Sequence, residues 1–392
     1  MTEQFRRSIG RASLERFGTT IFTEMSRLAI EHQAVNLGQG FPDFAGPQFL
    51  KDAACQAIRG DHNQYARMAG VPELVRAISE KVETWTGLAY DPMEEVTVFS
   101  GCTEAICSTL LALCDPGDEV VLFQPYYDCY HAAVVMAGAT PRFVTLHAPE
   151  FRWSVEELEA AFSSKTRVVL LNTPQNPTGR VLDREEMETI ARLAKAHDVV
   201  VVTDEVYEHL VFEGEHIPMA TLPDMRERTV TLNSTGKTFS MTGWKVGYST
   251  AAAPLTRAVR TAHQFVTFAT ATPLQHAMIA AMRAPPSYYV RLLADYRARR
   301  DQLVAALSAA GLDVYPCQGT YFVCAGFGGL GFDDDVEFCK HLIETAGVVA
   351  IPPSAFYEDK QLGRSYARFA FCKTEATLAE AARRLESLRP RS

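Results

Sequence analysis

Residues 233–247, NSTGKTFSMTGWKVG, contain Gly236-Lys237-Thr238, the tripeptide that closes a nucleotide-binding P-loop. A P-loop also needs a glycine five residues before Gly236, so that successive backbone N–H groups can curl around a phosphate. Thr231 stands there, and residues 231–235 hold no glycine. The following TFSMTGWKVGYST also lacks the long apolar helix expected after a P-loop. Lys237 therefore asks for a different chemistry.

Other residues of reactive type occupy comparable places. Thr103 follows Gly101-Cys102 at the expected start of a helix. Free N–H groups and a hydroxyl there suit a phosphate, or the threonine simply caps the helix. Asp204 ends the apolar run VVVVTD, where an unpaired carboxylate is costly; it needs a cationic partner or a role capping the following EVYEHL. Asn172 and Asn176 lie in NTPQNPTG, where turn chemistry alone accounts for both, Pro177 biasing Asn176 toward extended backbone. Arg368 sits within YARFAFC, on the strand face of Tyr366 and Ala370. Its guanidinium keeps its charge and requires a carboxylate, from a substrate or from an internal Asp or Glu. Tyr126 and Tyr127 add an aromatic platform. One cofactor uses all these parts, pyridoxal 5′-phosphate, through its phosphate, ring nitrogen, 3′-oxygen, ring face and aldehyde.

Regular elements must position these residues. Strands are expected at 95–101, 118–125, 166–172, 199–204, 228–234 and 244–250, with helices at 103–114 and 183–198. Apolar strands separated by helices indicate an α/β domain with a mostly parallel sheet, whose ligands bind beyond the carboxyl ends of the strands. Five such ends bring polar or aromatic groups to one rim: Gly101 to Thr103, Tyr126-Tyr127, Asn172 with Asn176, Asp204 with Tyr207, and Ser234 with Lys237. A helix at 287–311, strands at 320–326 and 366–372 and a C-terminal helix then form an α+β domain. The expected division is an N-terminal segment 1–35 joining the small domain, a large domain 36–285 and a small domain 286–392. The site then lies between the two domains.

The 392 residues are too many for one ordinary core, and 47% hydrophobic with 22% charged residues is a globular composition. A net charge of −9 argues against nucleic acid or an anionic membrane as a partner. The nine cysteines are scattered without a C-x-x-C pair and suit the reduced interior of a cytoplasmic protein. The N-terminus shows no apolar signal region, and no run approaches the ~20 apolar residues of a membrane span. No Cys/His cluster has metal spacing.

NLGQGFPDF (36–44), NQYARMAG (63–70), GCTEA (101–105), QPYYDCY (124–130), NTPQNPTG (172–179), TDEVYEHLVF (203–212), STGKTFSMTGWKVGY (234–248), GTYF (319–322), IPPSAFY (351–357) and ARFAFCK (367–373) share one further property. In this order they resemble the pyridoxal-phosphate-dependent, fold-type I aminotransferases of class I/II. Within that class the chain is most similar to the kynurenine, methionine and N-succinyldiaminopimelate aminotransferases. The resemblance implies a large domain around a mostly parallel seven-stranded sheet and a smaller α+β domain.

It also implies roles. Lys237 links covalently to the cofactor, Asp204 pairs with the ring N–H, Asn176 and Tyr207 bond the 3′-oxygen, and Tyr127 stacks on the ring. Gly101, Cys102 and Thr103 (by backbone N–H groups), Ser234 and Lys245 hold the phosphate, joined by Tyr65 of a second subunit in a homodimer. Arg368 and Asn172 grip the substrate α-carboxylate, and the backbone at Gly40 closes on it. Ile21, Phe22, Phe41, Tyr126 and Phe268 would line an apolar side-chain pocket, favouring methionine-, kynurenine- or glutamine-like amino acids. The alternatives are N-succinyldiaminopimelate as substrate, or a β-lyase acting on cysteine conjugates with the same residues.

Overall fold

The computed structural model describes residues 10–18 and 20–389. Its strands are β1 (Val35–Asn36), β2 (Val96–Phe99), β3 (Glu119–Gln124), β4 (Thr140–Thr145), β5 (Thr166–Asn172), β6 (Val200–Asp204), β7 (Thr229–Ser234), β8 (Gly247–Ala251), β9 (Asp313–Val314), β10 (Phe322–Gly326), β11 (Val348–Val349) and β12 (Tyr366–Ala370). Seven form one sheet in the order β2-β8-β7-β6-β5-β3-β4, in which β8 alone, among the described residues, runs antiparallel.

Alternation along the strands explains why the central strands are apolar throughout. Val121 and Phe123 of β3 and Val169 and Leu171 of β5 pack on one face with Met187, Ile190 and Leu193 of the helix Arg184–Ala196. Val120, Leu122, Val168 and Leu170 point to the other face, against Ala105, Ile106 and Leu110 of the helix Gly101–Leu113. Each such side chain contributes about 1.5–3 kcal/mol by leaving water. The helix Arg184–Ala196 starts where it does because Asp183 and Glu186 form a capping box.

Four expectations are corrected. β4 completes the sheet but escapes sequence reading, because Pro141 interrupts it and its residues are mostly exposed or half-buried on the sheet edge. β8 begins at Gly247 rather than at 244, since Thr242–Trp244 is a short 3-10 turn and Lys245 adopts a left-handed φ of 49°. The helix expected at 103 begins at Gly101, so Thr103 lies within its first turn and is not its cap. EVYEHL is a turn, not a helix.

The C-terminal part carries the antiparallel sheet β12-β10-β9. The N-terminal segment packs on it: β1 pairs in parallel with β11, and Met25 and Ala29 of the helix Ile21–Glu31 share a core with Phe338, Leu342 and Phe369.

Two features fix the rim of the large sheet. A Cβ on Gly247 would lie 2.7 Å from the carbonyl carbon of Gly101 and 2.8 Å from the nitrogen of Cys102, so only glycine lets β8 touch the start of that helix. Behind β6, Lys81 of the helix Pro72–Thr86 forms an ion pair with Glu208 and donates to the Tyr248 hydroxyl at 3.3 Å. In the same turn Glu205 accepts from His216 at 2.9 Å. Burial alone would raise the Glu208 carboxyl, but Lys81 and His209 hold it well below the ordinary carboxylate range.

Gly247→Ala should therefore displace the first turn of the helix Gly101–Leu113 and cost about 1–3 kcal/mol, measured by denaturant unfolding. Lys81→Ala strands a buried carboxylate and should cost about 3–5 kcal/mol near neutral pH. Because Glu208 is depressed, that stability exists above its unfolded value of 4.5 and is lost as pH falls. The gap between wild type and variant should accordingly narrow in acid; a gap independent of pH would refute the assignment.

Candidate functional site

The carboxyl ends of β5, β6 and β7, with the start of the helix Gly101–Leu113, surround a cavity of about 150 Å³. Lining it are Gly101, Cys102 and Thr103, Tyr127, Asn172 and Asn176, Asp204 and Tyr207, and Ser234, Lys237 and Lys245. Residues as far apart in sequence as 101 and 245 thus converge because parallel strands end on one side of the sheet.

At one end the first N–H groups of the helix Gly101–Leu113 have no partner within the helix, which favours an anion. Gly101 has φ 81°, and Lys245 folds over it so closely that a Cβ there would lie 3.4 Å from Lys245 Cε. Ser234 caps the one-turn helix Thr235–Thr238, its Oγ accepting from the Gly236 N–H at 3.1 Å. That helix carries Lys237. Burial lowers the Lys237 pKa, and Arg368 adds to the lowering, against the opposing charge of Asp204. Lys237 Nζ stands 5.8 Å from the ring centres of both Tyr207 and Tyr321.

Asp204 lies opposite. Tyr130 donates to its Oδ2 at 2.7 Å and the Val206 N–H to its Oδ1 at 3.3 Å, so it does brace the turn that follows β6. Among the described residues no cationic nitrogen lies within 4.0 Å of it. Burial raises its pKa, only partly countered by Tyr130, Val206 and Lys237. A protonated ring nitrogen would supply the missing charge, so the donor set fits the cofactor. Cys102 is no nucleophile here: burial and the adjacent Asp204 keep its thiol protonated.

Arg368 is 1% exposed. It donates to Asn176 Oδ1 at 3.0 Å and to the Gly38 carbonyl at 2.6 Å, while its Nε has no partner. The rings of Phe322, Phe22 and Phe356 surround it at 4.1, 5.3 and 5.4 Å. No carboxylate among the described residues comes within 4.0 Å. Of the two partners open on sequence, an internal Asp or Glu is absent among the described residues.

Several expected contacts differ. Asn172 is committed to the chain, Nδ2 donating to the Asp204 carbonyl and Oδ1 accepting from the Asn176 N–H, both at 2.7 Å. It positions Asn176. Arg368 meets the Gly38 carbonyl, and the Gly40 carbonyl accepts from the Tyr321 hydroxyl at 2.6 Å. Tyr126 stacks on Phe143 at 5.5 Å and bonds His131 Nδ1 at 3.2 Å, which turns it to a neighbouring chamber. Tyr65 and Phe268 line neither space within one chain; they are 87% and 41% exposed, their rings 5.6 Å apart. Tyr130, Gly38, Phe322 and Phe356 were not foreseen. Tyr130 had a legible signal, since it stands one helical turn after Tyr127 and Asp204 needed a donor.

The comparisons agree with this geometry. Residues 32–385 match the family Aminotransferase class I and II. The chain is 42% identical to the methionine aminotransferase of Escherichia coli over 97% of its own length and 98% of that protein. It is 39% identical to the kynurenine–oxoglutarate transaminase of Dictyostelium discoideum, covering 93% of each chain. The solved structure of N-succinyldiaminopimelate aminotransferase from Mycobacterium tuberculosis superposes with a TM-score of 0.94 at 44% identity, over 97% of this chain and all of that one. The chain belongs to the class I and II aminotransferases, fold-type I enzymes that use pyridoxal phosphate to move amino groups between amino acids and 2-oxo acids.

Proposed function

We propose that the chain acts on α-amino acids with neutral apolar, aromatic or sulfur-containing side chains, and that Lys237 is its proton carrier. The carrying observation is a buried arginine without an internal counter-ion beside a lysine of lowered pKa. Pyridoxal phosphate, when bound, supplies the aldehyde that takes up the amino group and the electron-withdrawing ring that acidifies the substrate Cα–H.

The chain's own residues do the rest. Arg368 binds the substrate α-carboxylate, and Asn176 holds the guanidinium in place for it. Lys237 would hold the cofactor and take the proton from substrate Cα. A free lysine, pKa about 10.4, is protonated at neutral pH, so this role needs a lowered pKa. Burial acts in that direction. Asp204, its two oxygens oriented by Tyr130 and Val206, would keep a proton on the ring nitrogen. Asn176 and Tyr207 would hold the 3′-oxygen and Tyr127 the ring. Ser234, Lys245 and the N–H groups of Cys102 and Thr103 would hold the phosphate.

The same proposal includes a homodimer in which Tyr65 and Phe268 serve the site of a second copy. Its support is the exposure of Tyr65, Phe265 and Phe268, an aromatic patch unusual on a monomer. It also keeps the divisions 1–35, 36–285 and 286–392, and a cytoplasmic location; no helix among the described residues is long and apolar enough to cross a membrane.

Lys237→Ala should keep the fold but lose covalent attachment of the cofactor, read by mass spectrometry after borohydride reduction, together with turnover. Full transamination by that variant without added amine would refute the role. Arg368→Gln should lower kcat/KM for every α-amino acid by about 100-fold or more, as expected for losing charge-assisted bonds in a buried site. Release of pyruvate and ammonia from cysteine conjugates, in place of oxo-acid-dependent amino transfer, would instead point to the β-lyase.

A further inference from the structure

The helix Gly101–Leu113 turns its first N–H groups toward the phosphate end of the cavity, yet its first turn also carries an acid, Glu104. A carboxylate there works against a bound phosphate, because two anions then share the positive end of one helix. We propose, resting on the phosphate site proposed above, that His263 cancels the charge of Glu104 and so keeps this helix end selective for a phosphorylated cofactor. His263 lies 159 residues from Glu104 in sequence and is a positioning residue, acting on the phosphate only through that acid.

Glu104 folds back along its own helix. Its Oε2 accepts from the Ser100 N–H at 3.1 Å and its Oε1 from the Ser108 hydroxyl at 2.5 Å. The Ser100 side chain makes no capping bond, so this carboxylate closes the start of the helix. Its side chain is 10% exposed, and among the described residues only His263 brings a basic nitrogen within 4.0 Å of it.

His263 stands on the helix Ala253–Val266 with both ring nitrogens engaged. Nε2 lies 3.1 Å from the Met68 carbonyl oxygen and Nδ1 3.0 Å from Glu104 Oε1. A carbonyl only accepts, so Nε2 carries a hydrogen. Nδ1 then faces a carboxylate oxygen at a distance where two bare lone pairs repel, so a proton lies between them. Whether ring or acid holds it, the pair has no net charge. The ring is 0% exposed and packs edge-on against Phe99 at 4.7 Å, which keeps that proton away from solvent.

Through Met68 the same ring holds the segment 63–70, which carries the exposed Tyr65 proposed above for the site of a second copy. One imidazole thus stands behind two phosphate contacts, the helix start of its own subunit and the tyrosine offered to its neighbour.

Pyridoxal lacks the phosphate and cannot sense this helix end, which makes it the control. The holoenzyme is freed of cofactor and reloaded with pyridoxal 5′-phosphate or with pyridoxal, attachment at Lys237 being read by mass spectrometry after borohydride reduction. In His263→Gln the concentration of pyridoxal 5′-phosphate for half loading should rise about tenfold or more, as expected for a stranded charge. That of pyridoxal should change by less than about twofold, well below the effect of one charge-assisted bond. Adding Glu104→Gln removes the stranded acid and should bring half loading back to within about threefold of the wild type.

Equal losses with both cofactors, no loss with either, or a double variant no better than His263→Gln would overturn the proposal and leave the aminotransferase reading standing. If His263→Gln does not fold, the double variant decides alone: loading within about threefold of the wild type upholds the neutral pair, and a larger loss overturns it. A wild type that attaches neither cofactor at Lys237 would instead overturn the cofactor site itself.

Discussion

A guanidinium buried among three aromatic rings, with no carboxylate of its own chain in reach, is the constraint on which the site depends. Removing an unpaired charge from water costs several kcal/mol, and Arg368 cannot shed its proton as a buried lysine can. The fold sustains the arrangement with two neutral acceptors, Asn176 Oδ1 and the Gly38 carbonyl. These orient the guanidinium but do not neutralise it. Asp204 is the complementary case: a buried anion held by a hydroxyl and an N–H, without a cation.

Holding such charges requires a stiff frame. The parallel strands are buried on both faces, and their carboxyl ends are tied to one another by side chains: Asn172 at the end of β5 bonds the Asp204 carbonyl at the end of β6. The turn after β6 is in turn fixed from behind by Lys81 and Glu208. Tyr207 and Asp204 thus sit between a sheet in front and an ion pair at the back. The closure of the C-terminal sheet onto the same rim, through Arg368 to Asn176 and Tyr321 to Gly40, connects the remaining part of the site to this frame.

Much of this was legible in the residues themselves. β5 and β6 announce themselves as apolar, valine-rich runs, because a strand buried on both faces has little polar alternation to confuse it. The helix Arg184–Ala196 is equally legible through its capping box. β4 was not, since an edge strand with a proline and mixed exposure carries no periodic signal. Lys245 was misread as strand for a similar reason: a left-handed residue in a short turn leaves only local traces, and here the flanking sequence was apolar. The partners of Asn172 and Gly40 were inaccessible because each is decided by where a different strand ends.

The sequence by itself determined which chemical groups reach the rim, because parallel strands deliver their last residues to one side whatever the details of packing. It also determined that residues 231–238 do not form a P-loop pattern, since the glycine required at 231 is a threonine. Only the tertiary structure decided who meets whom. Asn176 and Arg368 are 192 residues apart, and whether an internal acid stood between them was a question of distance that no local pattern encodes. A hydrogen bond has a reach of about 3 Å, whereas sequence motifs fix position only to the nearest element.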